Sequence, residues 1–156
     1  MKCSIVEIYE STLKSQICET ILRSLPDWFG IEESTAEYIN GVAVKPFFCV
    51  YDDANNAIGF VSLLMHNEYT AEIYVMGVAP EQHHQGYGRK LIEAAVTYCK
   101  NHHMTFLTVK TLAESHPDPG YANTRKFYIS MGFKPLEIFP TLWDECNPCL
   151  FMCMSL

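Results

Sequence analysis

The segment over residues 71–95, AEIYVMGVAPEQHHQGYGRKLIEAA, combines residue types that can hold a phosphorylated ligand. An apolar stretch ends at Val78, and after a short turn Gly86 and Gly88 stand where a helical pattern begins. Glycine lets the backbone approach a ligand closely, and the amides and dipole of a first helical turn attract phosphate. Arg89 adds a positive charge to that turn. This arrangement predicts a pyrophosphate held mainly by main-chain amides, in a ligand of nucleotide type.

The loop differs from two common phosphate-binding motifs. Neither GxGxxG nor GxxxxGK[ST] occurs in the chain. The Rossmann and P-loop classes are therefore poor explanations of the segment.

The elements that must position the loop are a strand before it and an amphipathic helix after it. The pattern predicts a strand over 69–78, a helix over 86–103 and a further strand over 104–111. Such a βαβ crossover is right-handed, which puts the start of the helix at the carboxyl end of the first strand. The apolar stripe of the helix, which must face a sheet, consists of Leu91, Ile92, Ala95, Val96 and Cys99.

The rest of the chain alternates β-rich and helical patterns. The other expected elements are a strand over 4–9, a helix capped at Ser11 or Thr12 and ended by Pro26, a short helix within 27–39, a hairpin of 45–51 and 57–65, a helix over 121–131, and strands over 133–138 and 148–154. The order β-α-α-β-β-β-α-β-α-β-β predicts an α/β fold. We expect a single domain over 1–156, with a mixed, mostly antiparallel central sheet of about six to seven strands and helices on both faces.

Composition limits the classes of partner. The chain is 49% hydrophobic and 19% charged, which excludes a disordered protein. Its formal net charge of −7 leaves no broad basic face, so nucleic acid is not an expected partner. Apolar runs such as 150–154 are far shorter than the ~20 residues that span a bilayer, and the N-terminus has no secretory pattern. We expect a cytoplasmic protein without a membrane partner, in which most of the seven cysteines are reduced.

Two motifs together resemble the GNAT acetyltransferase superfamily. His83-x-x-Gly86-x-Gly88 is similar to the family's (Gln/Arg)-x-x-Gly-x-(Gly/Ala) loop for acetyl-CoA, with His83 as the departure. The stretch from Phe127 to Phe133, FYISMGF, looks like its (Phe/Leu)-Tyr-x-x-x-Gly-Phe element, in which Gly132 permits a left-handed helix end. The resemblance extends over about residues 45–140 by motif order. It implies a GNAT-type domain that takes acetyl-CoA as acyl donor and acetylates a primary amine of a small molecule or peptide.

The resemblance also implies which residues contact the donor. In the family the pantetheine arm lies beside the strand before the loop as a pseudo-strand, and a main-chain N–H polarises the thioester carbonyl. The family often has Asn seven residues before its tyrosine; here that position is Tyr121, and Asn123 is out of register. The cofactor-binding residues carried over are Met76, Gly77, Val78, His83, His84, Gln85, Gly86, Tyr87, Gly88 and Arg89.

Tyr128 and Glu72 are the catalytic candidates that the resemblance implies. Tyr128 matches the tyrosine that returns a proton to the leaving thiolate, although a ring that only packs and bonds locally is the alternative. Glu72 matches the general base of histone-type members, and its alternative is an exposed or paired carboxylate. Direct attack of a neutral amine on the thioester then needs no side-chain nucleophile.

The acceptor is less defined than the donor. An acidic run would attract a polyamine, an aminoglycoside or a basic peptide, or would form a solvated face; it consists of Asp27, Glu32, Glu33 and Glu37. Aromatic residues that would line an acceptor pocket, or belong to the core, are Trp28, Phe29, Tyr38, Tyr69, Tyr74 and Trp143. A non-catalytic CoA-binding module that senses metabolites or mediates interactions is the alternative function, and a homodimer stays open.

Cysteine and histidine pairs offer a metal or redox site as a further interpretation. Cys146-x-x-Cys149 is the only CxxC, so a structural role is favoured over a redox pair or metal ligands. The pairs His83-His84 and His102-His103 lie at opposite ends of one predicted helix, too far apart to share an ion. We expect no metal site.

Overall fold

The computed structural model describes residues 3–156, and its elements follow the order expected from the sequence. Strands and helices are β1 (Ile5–Glu7), α1 (Ser11–Arg23), α2 (Glu32–Gly41), β2 (Phe47–Tyr51), β3 (Ala57–Met65), β4 (Thr70–Val78), α3 (Tyr87–Asn101), β5 (Phe106–Leu112), α4 (Pro119–Ser130), β6 (Lys134–Asp144) and β7 (Asn147–Ser155). Short 3-10 turns cover Val42–Val44 and Pro80–Gln82.

The strands form one seven-stranded sheet in the order β1-β2-β3-β4-β5-β7-β6. β4 and β5 run parallel, and the pairs β1-β2, β2-β3, β5-β7 and β6-β7 are antiparallel. The expected α/β fold with a mixed, mostly antiparallel sheet is therefore confirmed. Within the described residues, the parallel ladder consists of three pairs and ends where Glu72 meets Thr108.

The chain divides into two compact units, whose boundary passes through β4 and α3. The first unit consists of residues 3–64 with Tyr74–Tyr98, and the second of Met65–Ile73 with Cys99–Leu156.

In the first unit, α1 packs on the end of β4. Ile17, Ile21 and Leu22 are buried along one face of the helix, as in an amphipathic helix. A Cβ built on Gly77 would lie 2.9 Å from Ile21 Cγ2 and 3.1 Å from Leu25 Cδ1. Glycine at position 77 therefore permits the close approach of helix and strand.

The cap of α1 differs from the expectation. The N-cap is Glu10, whose carboxylate accepts hydrogen bonds from the amides of Thr12 at 3.1 Å and Leu13 at 2.6 Å. The Ser11 hydroxyl donates to the carbonyl of Ala43 at 2.8 Å. The sequence prediction of Ser11 or Thr12 was wrong because a glutamate one residue earlier satisfies the helix amides.

The second unit buries apolar residues on β5, on β7 and just after α4. Leu107, Val109, Met152 and Phe133 are all buried there. β6 is longer than the expected strand over 133–138 and is mostly exposed. No helix in the described part of the chain is both long and apolar enough to cross a bilayer.

Candidate active site

The connection from β4 to α3 has a backbone conformation that requires glycine at one position. After the turn over Pro80–Gln82, His84 has φ +62° and Gly86 has φ +86°. A Cβ added to Gly86 would meet nothing within 4 Å. The left-handed backbone therefore explains Gly86, because a side chain has space there but is strained at that φ.

The start of α3 supplies main-chain donors. Lys90 N donates to Gly86 O at 3.2 Å, which is the bond of the first helical turn. The amides of Tyr87, Gly88 and Arg89 come before that bond, at the positive end of the helix dipole. The start of a helix with this backbone is the place where the sequence predicts an anion site, and that assignment stays a prediction.

His83 ties the loop to the end of the strand. Its Nε2 lies 2.7 Å from the carbonyl oxygen of Val78, and its ring meets the ring of Trp28 edge to face at 5.8 Å. Gln85 supports the same turn, since its side-chain amide donates to Glu81 O at 3.3 Å. The side chain that departs from the family motif thus holds the loop itself.

The side chain of Tyr87 is buried, and its hydroxyl and the Cys3 Sγ atom hydrogen-bond at 3.3 Å. The bond to Cys3 raises the pKa of Tyr87 above its usual value. The contribution that this residue can make to an anion site is therefore its amide.

Glu72 lies at the other end of β4 and is buried. Its Oε1 lies 2.6 Å from His66 Nε2, and Lys110 Nζ donates to its two oxygens at 3.2 and 3.4 Å. The paired carboxylate that the sequence left open as an alternative is the observed arrangement. The contacts with His66 and Lys110 hold the Glu72 carboxylate in one orientation on β4.

Tyr128 is buried near the end of α4. Its ring centroid lies 5.4 Å from that of Phe127 and 5.6 Å from that of Phe133. Gly132 follows the helix with φ +106°, the left-handed end expected there.

α4 is fixed at two points. Asp118 caps it by accepting from Gly120 N at 2.7 Å. The buried Arg125 donates through Nη1 to Leu112 O at 2.8 Å and to Ala113 O at 3.2 Å. This contact fixes the helical turn that precedes Tyr128 to the end of β5.

Comparison with models of protein families identifies the family to which the chain belongs. The model for the acetyltransferase (GNAT) domain matches residues 38–135, which is more than half of the chain. The chain belongs to the GNAT acetyltransferase family. No curated protein sequence matches it.

Solved structures show the same fold at low sequence identity. A GNAT-family structure from Desulfovibrio desulfuricans aligns with a TM-score of 0.81 and 16% identity, over 99% of each chain. A GNAT family acetyltransferase from Elizabethkingia anophelis with acetyl-CoA bound aligns with a TM-score of 0.74 and 19% identity, over 99% of this chain and 98% of that one. The ribosomal-protein-S18-alanine N-acetyltransferase from Escherichia coli aligns with a TM-score of 0.75 and 17% identity, over 99% of this chain and 94% of that one.

Two residues of this GNAT-family protein that contact a candidate site residue were not predicted from the sequence. His66 and Lys110 both contact Glu72, although neither belongs to a family motif. The sequence does single out Lys110, because it is the one charged residue in the otherwise uncharged strand FLTVKTL. It stands two residues after Thr108, which pairs with Glu72. Residues two apart share a face of a strand, so Lys110 follows from the register once that is known.

The aromatic acceptor candidates of the GNAT domain separate into groups. In the first unit, the ring centroids of Phe29 and Tyr38 lie 6.1 Å apart and those of Tyr38 and Tyr74 lie 5.3 Å apart. The ammonium of Lys45 lies 4.2 Å from the centroid of Tyr74. Tyr69 and Trp143 belong to the second unit, where both are exposed.

The acidic run is a solvated face of the first unit. Asp27, Glu33 and Glu37 are exposed, and Glu32 forms a two-pronged ion pair with Arg23 at 2.9 and 3.0 Å. Exposed pairs of this kind contribute little to stability, because solvent and salt screen the two charges.

The cysteines of the described residues are free thiols. Cys146 is exposed, whereas Cys149 is buried on β7. Within residues 3–156, no three metal-binding side chains converge on one point.

Proposed function

We propose that the protein is an acetyl-CoA-dependent N-acetyltransferase that acetylates a primary amine of a small molecule or peptide by direct attack. One observation carries the proposal: the amides of Tyr87, Gly88 and Arg89 stand at the start of α3, where the end of a helix attracts phosphate, in a chain of the GNAT family. The solved relative from Elizabethkingia anophelis has acetyl-CoA bound, which supports the same donor here.

In the proposed reaction, the helix entrance binds the diphosphate of acetyl-CoA. Main-chain groups around Met76 and Val78 hold the pantetheine arm, and an amide there polarises the thioester carbonyl as negative charge develops on it. The remaining loop residues, His83, His84 and Gln85, give the diphosphate site its shape.

The chemical step forms a C–N bond and breaks a C–S bond. A neutral amine attacks the thioester carbon, and collapse of the tetrahedral intermediate releases the thiolate of CoA. The Tyr128 hydroxyl gives the thiolate its proton and is restored by the proton that the acceptor nitrogen still carries. Glu72 is the carboxylate that supports the first deprotonation, from ammonium to amine.

A non-catalytic CoA-binding module is the second candidate. One observation favours it: the Glu72 side chain is only 9% exposed and is already engaged by His66 and Lys110. In this case CoA would bind without turnover, as in a sensor of metabolites.

The decisive experiment is calorimetry with acetyl-CoA followed by a thiol-release assay against a panel of primary amines. We expect binding, and amine-dependent release of free CoA thiol. The variant Tyr128→Phe should bind acetyl-CoA like the parent but lose about a hundredfold in kcat, within the range for general acids. The matched control is Tyr9→Phe, since Tyr9 is 77% exposed and lies before α1.

Each result decides between the candidates. No affinity for acetyl-CoA would overturn the donor site and the chemistry together. Binding without thiol release for any amine would favour the non-catalytic module, and an unchanged kcat in Tyr128→Phe would remove that residue from the mechanism.

A further inference from the structure

His66, Glu72 and Lys110 form a cluster of charged and titratable groups in the second unit. His66 follows β3, Glu72 lies on β4 and Lys110 lies on β5. His66 Nε2 approaches Glu72 Oε1 to 2.6 Å, and Lys110 Nζ reaches both carboxylate oxygens within 3.4 Å.

The three side chains differ in their access to solvent. That of Glu72 is 9% exposed, whereas that of His66 is 38% exposed. Glu72 is already hydrogen-bonded on both oxygens, so a diffusing acceptor meets the imidazole more readily than the carboxylate. The greater exposure of its side chain therefore favours His66 as the residue of the cluster that touches a substrate.

The hydrogen bond fixes which ring nitrogen of His66 carries the proton. The carboxylate of Glu72, paired with the ammonium of Lys110, only accepts hydrogen bonds. Nε2 must then donate, which leaves the lone pair of a neutral imidazole on Nδ1. No hydrogen-bond partner of Nδ1 lies among residues 3–156.

We propose that His66 Nδ1 accepts the proton of the acceptor ammonium, and that Glu72 is the positioning residue that sets the tautomer and orientation of the ring. The inference rests on the proposed acetyl transfer and names the proton acceptor for it.

The step balances without a further reactant. R–NH3⁺ gives one proton to Nδ1 and becomes the neutral amine, and His66 becomes an imidazolium that the Glu72 carboxylate stabilises. The imidazolium then releases the proton to water, to which the ring is partly open. Nothing is oxidised or reduced.

The cluster of His66, Glu72 and Lys110 has a further titratable neighbour. It is Cys149 on β7, which interacts electrostatically with Glu72 on β4 and Lys110 on β5. Burial raises the pKa of Cys149 to about 11, so its thiol is neutral over the working range. The charges that act on the imidazole are therefore the carboxylate and the ammonium.

The first test compares His66→Gln with the control His102→Gln, in which an exposed histidine at the end of α3 is replaced. Gln can donate to Glu72 but cannot take up a proton. We expect His66→Gln to lose about a hundredfold in kcat/KM and to lose the acidic limb of the pH profile, with unchanged acetyl-CoA affinity. Added imidazole should restore much of the rate of His66→Ala, and the control should behave like the parent.

A wild-type pH profile retained in His66→Gln, or no recovery of His66→Ala with imidazole, would overturn the role of His66. These results are distinct from failure of the proposed function, which shows itself as a wild type that acetylates no amine and overturns both proposals. A readout independent of activity is the tautomer, measured by long-range ¹H–¹⁵N NMR. We expect protonated Nε2 and bare Nδ1 in the parent, and the opposite tautomer would refute the proposal.

Discussion

His83 Nε2 lies 2.7 Å from the carbonyl oxygen of Val78, so a side chain of the loop between β4 and α3 bonds to the strand that precedes it. The contact joins the residues on either side of the turn over Pro80–Gln82. Its consequence is that the loop amides are held before any ligand arrives, which lowers the ordering cost of binding.

Replacing His83 with alanine should weaken the binding of acetyl-CoA. The variant loses one hydrogen bond, worth about 1 kcal/mol, and the contact with Trp28, so we expect Kd to rise about fivefold in calorimetry. His83→Gln should recover most of the affinity, because its amide can donate to the same carbonyl. Equal affinities of the parent and the alanine variant would show that the loop needs no such support.

Replacing Gly86 with alanine should destabilise the protein although the added methyl group has space. An L-residue at φ +86° carries a strain of about 1–2 kcal/mol, which should appear as a lower free energy of unfolding in urea. The comparison is Gly88→Ala, at a helical position without positive φ, where alanine favours the helix. If both variants lost the same stability, backbone strain at Gly86 would be the wrong explanation.

Replacing Arg125 with methionine should destabilise α4. The variant leaves the carbonyls of Leu112 and Ala113 without their charged donor, at a cost of about 2 kcal/mol in the free energy of unfolding. We also expect a lower kcat, because Tyr128 stands one turn further along the helix. Lys126→Met removes a neighbouring exposed cation and is the control; an equal loss there would argue against a specific role of Arg125.

Alkaline pH should destabilise the protein through its buried thiols. Burial raises the pKa of Cys18 and Cys49 to about 12 and that of Cys99 and Cys149 to about 11. Thiols of the unfolded chain ionise near 9, so the folded state binds more protons between pH 9 and these values.

The buried thiols therefore contribute their full stabilisation below pH 9. This contribution to the free energy of unfolding is lost as pH rises towards 11 and 12. The measurement is the urea midpoint between pH 8 and 10.5, which we expect to fall. Cys99→Ala should flatten this decline relative to Cys146→Ser, which changes an exposed thiol. Identical slopes for the two variants would contradict the assignment.

Local pattern was sufficient for the order of elements and for the place of Gly86 just before α3. The apolar stripe of α3 and the glycines before it depend on residues within one or two helical turns, and such short-range signals survive in the sequence. For the same reason the left-handed helix end at Gly132 is predictable.

The sequence by itself determined the family, the α/β class and the order of the helices and strands. Only the tertiary structure decided the partners of individual side chains: Glu10 as the cap of α1, His83 on Val78, and above all His66 and Lys110 on Glu72. Lys110 is 38 residues from Glu72 along the chain, and strand register alone brings the two together. A carboxylate's neighbours follow from pairing between strands, and a single sequence does not contain that information.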